Sequence, residues 1–151
     1  MKQSRRNLTL LAPFLVLAKT RAQTPALASK FYPYEDLPVR ARGANRLRPI
    51  MNGELHSGFA FEIHETELAP GEAPHPPHRH VHEEVILIHE GTLEVMIAGK
   101  SARMGPGSLA FVASSEEHGW RNVGTVRARY YLFALDPSAR YREQAGASYG
   151  N

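Results

Sequence analysis

Four of the eight histidines in the chain fall between His75 and His82, in the run His75-Pro76-Pro77-His78-Arg79-His80-Val81-His82-Glu83-Glu84. Side chains two residues apart on an extended strand point to the same side, so His78 and His80 can aim two imidazoles at one point. Glu84 shares their parity and can add a carboxylate. A ligand from a second strand would close the site, and His118 is the downstream candidate. Three imidazoles and one carboxylate, without sulfur, suit a divalent Mn, Fe, Co, Ni, Cu or Zn ion. Such a set leaves one or two coordination positions for water, substrate or dioxygen, which a catalytic metal needs. The plainer reading of a His-rich segment is a solvated surface loop. A shift of the loop by two residues would exchange His78 for His82. His75 and His89 read as exposed or structural, while the strand faces of His56 and His64 stay open.

The elements that must position these groups read as short strands. Lys30 to about Arg48 carries Pro33, Pro38 and Gly43 with no sustained period, which predicts an extended arm. Asn52-Gly53 is a hairpin signal. Ser57–Leu68 alternates, with Phe59, Phe61 and Ile63 on one face and Ala60, Glu62 and His64 on the other. The stretch 69–77 is a Pro- and Gly-rich loop. Further strands are expected over Glu84–His89, Thr92–Ala98, Ser108–Ala113 and Arg127–Leu135, with turns at Gly91, Gly99-Lys100 and Gly105-Pro106-Gly107. Many short strands punctuated by Gly and Pro predict an all-β, antiparallel barrel or sandwich.

The spacing of the chemistry-bearing residues is more specific than their number. Gly71, then His78-x-His80, three residues, Glu84, six residues and Gly91 resembles the first motif of the cupin superfamily. Gly107, ten residues, His118, three residues and Asn122 resembles its second motif. The resemblance implies an antiparallel double-stranded β-helix, or jelly-roll barrel. It also implies that His78, His80, Glu84 and His118 are metal ligands, with Glu84 and His118 the catalytic candidates. The second motif departs at Ala113, where the family usually has Pro, and at Ser115, where it usually has Gly. Those positions shape the turn before His118, so the His118 loop is expected to sit differently. The Gly71-to-His78 spacing is one residue longer than the commonest form. Small cupins are commonly homodimers that share edge strands or N-terminal arms, and Phe31-Tyr32-Pro33-Tyr34 would suit an arm of that kind.

Composition bounds the rest. A chain of 151 residues with 42% hydrophobic content allows one compact domain. Its formal charge of +3 invites a nucleic-acid reading. That reading fails on location, because Lys2, Arg5, Arg6, Lys19 and Arg21 all precede the first acidic residue, Glu35. Without the first 28 residues, 13 basic face 15 acidic side chains, with no basic run interleaved with aromatics. Basic Met1–Asn7, an apolar run of 11 from Leu8 to Ala18 and the triplet Ala26-Leu27-Ala28 follow the order of a secretory signal peptide. The run is too short to span a bilayer, so no membrane anchor would remain after cleavage. Ser4-Arg5-Arg6-Asn7-Leu8 is similar to the twin-arginine signal, whose substrates are exported folded. Cleavage is expected after Ala28 or Ala22, which predicts a periplasmic or secreted bacterial protein. The expected organisation is a signal peptide at 1–28, an arm at 29–48, the barrel at 49–137 and a polar tail at 138–151. The absence of cysteine excludes disulfides, thiolate metal sites, a Cys nucleophile and lipidated cysteine.

Two functions remain open on sequence. One is a metal-dependent enzyme of dioxygenase, decarboxylase or isomerase type acting on a small oxygenated or carboxylate molecule. The other is a metal- or ligand-binding module without turnover. Cytoplasmic loading before folded export would favour Mn or Fe(II), with Zn or Ni as alternatives, against the affinity order that prefers Cu and Zn. Trp120, Phe111, Tyr131 and Phe133 are candidate pocket residues, Arg127 or Arg129 a carboxylate clamp, and Glu62 or Glu83 a proton-transfer group.

Overall fold

The computed structural model describes residues 26–136. After a short 3-10 turn at Tyr34–Asp36, nine strands follow: β1 (Arg40–Arg42), β2 (Asn45–Glu54), β3 (Ala60–Leu68), β4 (Glu83–Glu90), β5 (Leu93–Ile97), β6 (Lys100–Met104), β7 (Leu109–Val112), β8 (His118–Asn122) and β9 (Ala128–Asp136). One sheet has the order β1-β2-β3-β9-β4-β7 and the other β6-β5-β8, with every strand pair antiparallel. The fold is the all-β jelly-roll barrel expected from the sequence.

Alternation along each strand fills the barrel. β9 buries Ala128, Tyr130, Leu132, Ala134 and Asp136 and turns the residues between them outward. Leu68, Ile86, Ile88 and Leu93 are essentially inaccessible, and each contributes about 1.5–3 kcal/mol of apolar burial. The far end from the histidines is closed by Asn122. Its side-chain amide donates to the Leu68 and Val126 carbonyls, and its oxygen accepts from the Gly124 N–H. Gly91 allows β4 to turn into β5 beside β9: a Cβ there would lie 2.6 Å from the Ala128 backbone, at φ +75°.

Several local expectations are corrected. Asn52-Gly53 does not turn; both lie inside β2, and the chain reverses over Leu55–Gly58, where the Gly58 N–H donates to the Leu55 carbonyl. Gly53 instead permits close packing, since a Cβ would stand 2.8 Å from the Leu27 side chain. β1 and the start of β2 fall within the segment expected to be an arm, which therefore pairs into the sheet. The stretch between the turns at Gly99 and Gly105 forms β6. His118 opens strand β8 rather than sitting in a loop. On β3 the inner face is the polar one: Glu62, His64 and Thr66 are buried while Phe61 and Ile63 are only half-buried. Residues 1–25 of the expected signal peptide (1–28) and the whole expected tail (138–151) lie outside the described residues.

Candidate metal centre

The two motif segments meet through backbone pairing. His78 and His118 form an antiparallel bridge, each N–H donating to the other's carbonyl at 3.0 Å. That register sets their imidazoles side by side, with ring centroids 4.7 Å apart. Gly119 keeps the approach close, because a Cβ there would press on Pro77 at 3.1 Å. The Ser115 N–H donates to the His80 carbonyl at 2.7 Å. Ser115 holds φ +66°, so the backbone keeps the left-handed turn of the family's usual glycine at the steric cost of a side chain. The ligand-bearing segment is thereby retained despite the departure at this position.

The sequence-expected ligands converge. Glu84 Oε1 lies 3.2 Å from His80 Nε2, and Glu84 Oε2 lies 3.4 Å from His118 Nε2. Ring nitrogens of His78, His80 and His118 all lie within 4.8 Å of one another. His82 also reaches the cluster: its Nε2 is 3.1 Å from Glu84 Oε1, and its ring stacks on His80 at 3.4 Å. His82 therefore joins His80 and Glu84 in a second grouping, without displacing His78.

Hydrogen bonding fixes which nitrogens face the centre. Nδ1 of His118 lies 2.8 Å from the Glu116 carbonyl, and Nδ1 of His80 lies 3.0 Å from the His82 carbonyl. A carbonyl can only accept, so both imidazoles carry the proton on Nδ1 and present Nε2 inward, the usual preparation of a metal-binding histidine. His78 Nδ1, His80 Nε2, His118 Nε2 and Glu84 Oε2 are buried without a hydrogen-bond partner. Buried polar atoms are ordinarily satisfied, and Glu84 meeting the Nε2 atoms of His80 and His118 beside His78 fits a cation.

Electrostatics agree. Burial pushes the Glu84 carboxyl upward, but the imidazoles of His118, His80 and His82 packed around it outweigh burial and hold the group well below the usual carboxylate range. Burial, aided by repulsion from His75, His118 and His80, lowers His78 to about 4 and keeps it neutral. For His118, burial is outweighed by Glu84 and the Glu116 carbonyl, and its pKa is raised.

The surroundings sort the remaining candidates. Trp120 is buried on the inner face of β8, 6.0 Å from the His118 ring. His75 sits edge-on to His78 at 4.2 Å, and His89 is half-exposed beside Glu90. Phe111 is 54% exposed and does not line the interior. Tyr131, Phe133 and Arg129 face outward because β9 presents the opposite parity inward, so the inward aromatic is Tyr130. Arg129 is paired with Glu90 and Glu65, and Arg127 with Glu67, so neither serves as a clamp inside the barrel. Glu83 is exposed, whereas Glu62 is buried against His64. Glu62 was a sequence candidate, but its pairing with His64 was not read, because alternation along β3 left open which face points inward.

Barrel and centre together define a jelly-roll protein with a candidate metal site. The Cupin domain model matches residues 64–134. The tetracenomycin polyketide synthase protein TcmJ of Streptomyces glaucescens is 31% identical over 120 residues, covering 78% of this chain and 77% of that protein. The chain belongs to the cupin superfamily. Among solved structures, KdgF from Halomonas sp. superposes with a TM-score of 0.62 at 15% identity, over 76% of this chain and 99% of that one. The polyketide cyclase RemF from Streptomyces resistomycificus superposes at 0.60 and 23% identity, over 72% and 80% respectively. These two likenesses establish the shared fold.

Proposed function

We propose that this chain is an exported mononuclear metal-dependent enzyme acting on a small oxygenated or carboxylate molecule, with His78, His80, Glu84 and His118 as ligands. The observation that carries the reading is the meeting of buried Glu84 with the Nε2 atoms of His80 and His118 beside His78. Mn or Fe(II) is the favoured ion and Zn or Ni the alternative. A bound ion would supply Lewis-acid chemistry toward a substrate oxygen. The chain's own groups do the rest. Carbonyl-anchored His80 and His118 hold their Nε2 atoms toward the centre, Glu84 supplies negative charge, and Trp120 and Tyr130 are buried in the interior. Burial keeps the Tyr130 phenol protonated. TcmJ and RemF, by name a polyketide synthase protein and a polyketide cyclase, support an enzyme over a passive binding module. Carbonyl-rich substrates are the class their names suggest.

Export rests on the basic, apolar and small-residue order of the first 28 residues. A homodimer is supported by the outer face of the six-stranded sheet, where Leu109 and Phe111 are more than half exposed beside Val85 and Leu87. The arm is the weaker candidate, since the Tyr34 hydroxyl donates to Glu65 and its ring lies under Arg48 of the same chain.

Metal analysis of the protein purified from the exported fraction tests the proposal. One transition-metal ion per chain is expected, with His80→Ala and Glu84→Ala each losing metal and turnover together. Protein carrying no transition metal, or variants that keep the wild-type content, would sink it.

A further inference from the structure

The inner face of β3 carries a second titratable pair outside the ligand cluster. His64 Nδ1 lies 2.8 Å from Glu62 Oε1, and the two residues are 7% and 3% exposed. Strand register places them. Glu62 stands opposite Ala134, and Ala134 opposite Glu84, so the three form one inward row across β3, β9 and β4. At about 4.8 Å between neighbouring strands, the Glu62 and Glu84 backbones are roughly 10 Å apart, and the side chain between them is a methyl group. A small molecule held at the ligand cluster would meet the pair on reaching across Ala134. His64 occupies the next inward position, level with Leu132 and Ile86.

The pair has the form of a base with its orienting group. A carboxylate accepting from Nδ1–H fixes the tautomer, makes Nε2 the proton-accepting end and stabilises the imidazolium that results. The Asn52 amide donates to Glu62 Oε2 at 3.4 Å and steadies the carboxylate. Burying such a pair is costly relative to apolar packing, and β3 places Phe61 and Ile63 on its other face instead.

We propose that Glu62 and His64 are a general-base dyad that removes a proton from the carbon beside a carbonyl group in a hydroxy- or keto-compound held at the ligand cluster. The inference rests on the metal-site reading and selects proton transfer over oxygen insertion. His64 Nε2 takes the proton, the C–H electron pair becomes the C=C bond of an enolate, and the carbonyl π pair moves to oxygen. The imidazolium, paired with Glu62, then returns the proton to the same or a neighbouring carbon, so no oxidant or reductant is consumed.

The test uses zinc-loaded protein with hydroxyacetone in D2O, following by proton NMR the exchange of hydrogens beside the carbonyl. The wild type is expected to exchange at least tenfold faster than zinc-containing buffer. General-base removal typically costs about 10²–10⁴ in rate, so His64→Gln and Glu62→Gln should each lose at least tenfold at unchanged zinc content. Should His64→Gln melt below the assay temperature, the near-isosteric Glu62→Gln decides. Independently of turnover, nitrogen NMR of histidine-labelled protein should show His64 as the Nδ1–H tautomer, with an Nε2 resonance that moves on adding hydroxyacetone. Zinc binding without wild-type exchange, full exchange in the folded variants, or an unmoved Nε2 resonance would overturn the dyad and leave the metal centre standing. Failure to bind zinc would overturn both.

Discussion

At the scale of residues, the metal centre is a set of protonation states prepared in advance. His78 is neutral because burial and its imidazole neighbours lower it to about 4, while His118 is raised through Glu84 and the Glu116 carbonyl. A group with a raised pKa keeps its proton to higher pH, and a metal must displace that proton to reach His118 Nε2. Metal binding near pH 7 should therefore release protons. Affinity should fall as the solution is acidified and the His118 proton competes more strongly. Calorimetric titration in buffers of different ionisation enthalpy measures the release; a binding heat independent of buffer would contradict it. His78, His80, Glu84 and His118 were legible in the sequence because period-two spacing and the second-motif histidine both depend on local chain geometry. The inward role of His64 was not. Its strand puts polar residues inside, which reverses the usual reading of alternation, and only the pairing with β9 reveals it.

Among elements, strand positions were readable wherever aliphatic alternation had Gly or Pro at its ends, as for β4, β5, β7 and β9. Asn52-Gly53 misled because a turn signal is local, whereas the glycine answers to Leu27 packing from outside the strand. The turn before β8 shows the opposite case. Its departure from the family pattern suggested a displaced loop, yet Ser115 accepts the left-handed conformation and bonds to the His80 carbonyl. A non-glycine residue in that region costs about 1–2 kcal/mol, partly offset by the freedom a glycine loses on folding. Ser115→Gly is therefore expected to stabilise the fold by about 1 kcal/mol, read as a higher midpoint in chemical denaturation with metal content unchanged. A lowered midpoint would show that the Ser115 side chain, rather than its backbone, supports the turn.

For the molecule as a whole, two sheets enclose an apolar core with the His and Glu cluster beside it, while one outer sheet face stays apolar. Across that face Val85 stands opposite Phe111 and Phe133, and Leu87 opposite Leu109 and Tyr131. Our proposal assigns this contiguous apolar surface to the contact between two copies of the chain. Light scattering should find a dimer that Phe111→Glu converts to a folded monomer; a wild type that is monomeric at high concentration would refute the assignment. The barrel follows from strand periodicity and the centre from two motifs, but pocket parity depends on long-range register, which is why Tyr131, Phe133 and Phe111 were misplaced. The most direct test of the central claim is the X-ray absorption spectrum of the metal-bound protein at the metal edge. A shell of at least three imidazole nitrogens with a carboxylate oxygen, lost in a His118→Ala variant, is the predicted result. A shell of water and carboxylate oxygens without imidazole, or one unchanged in His118→Ala, would contradict it.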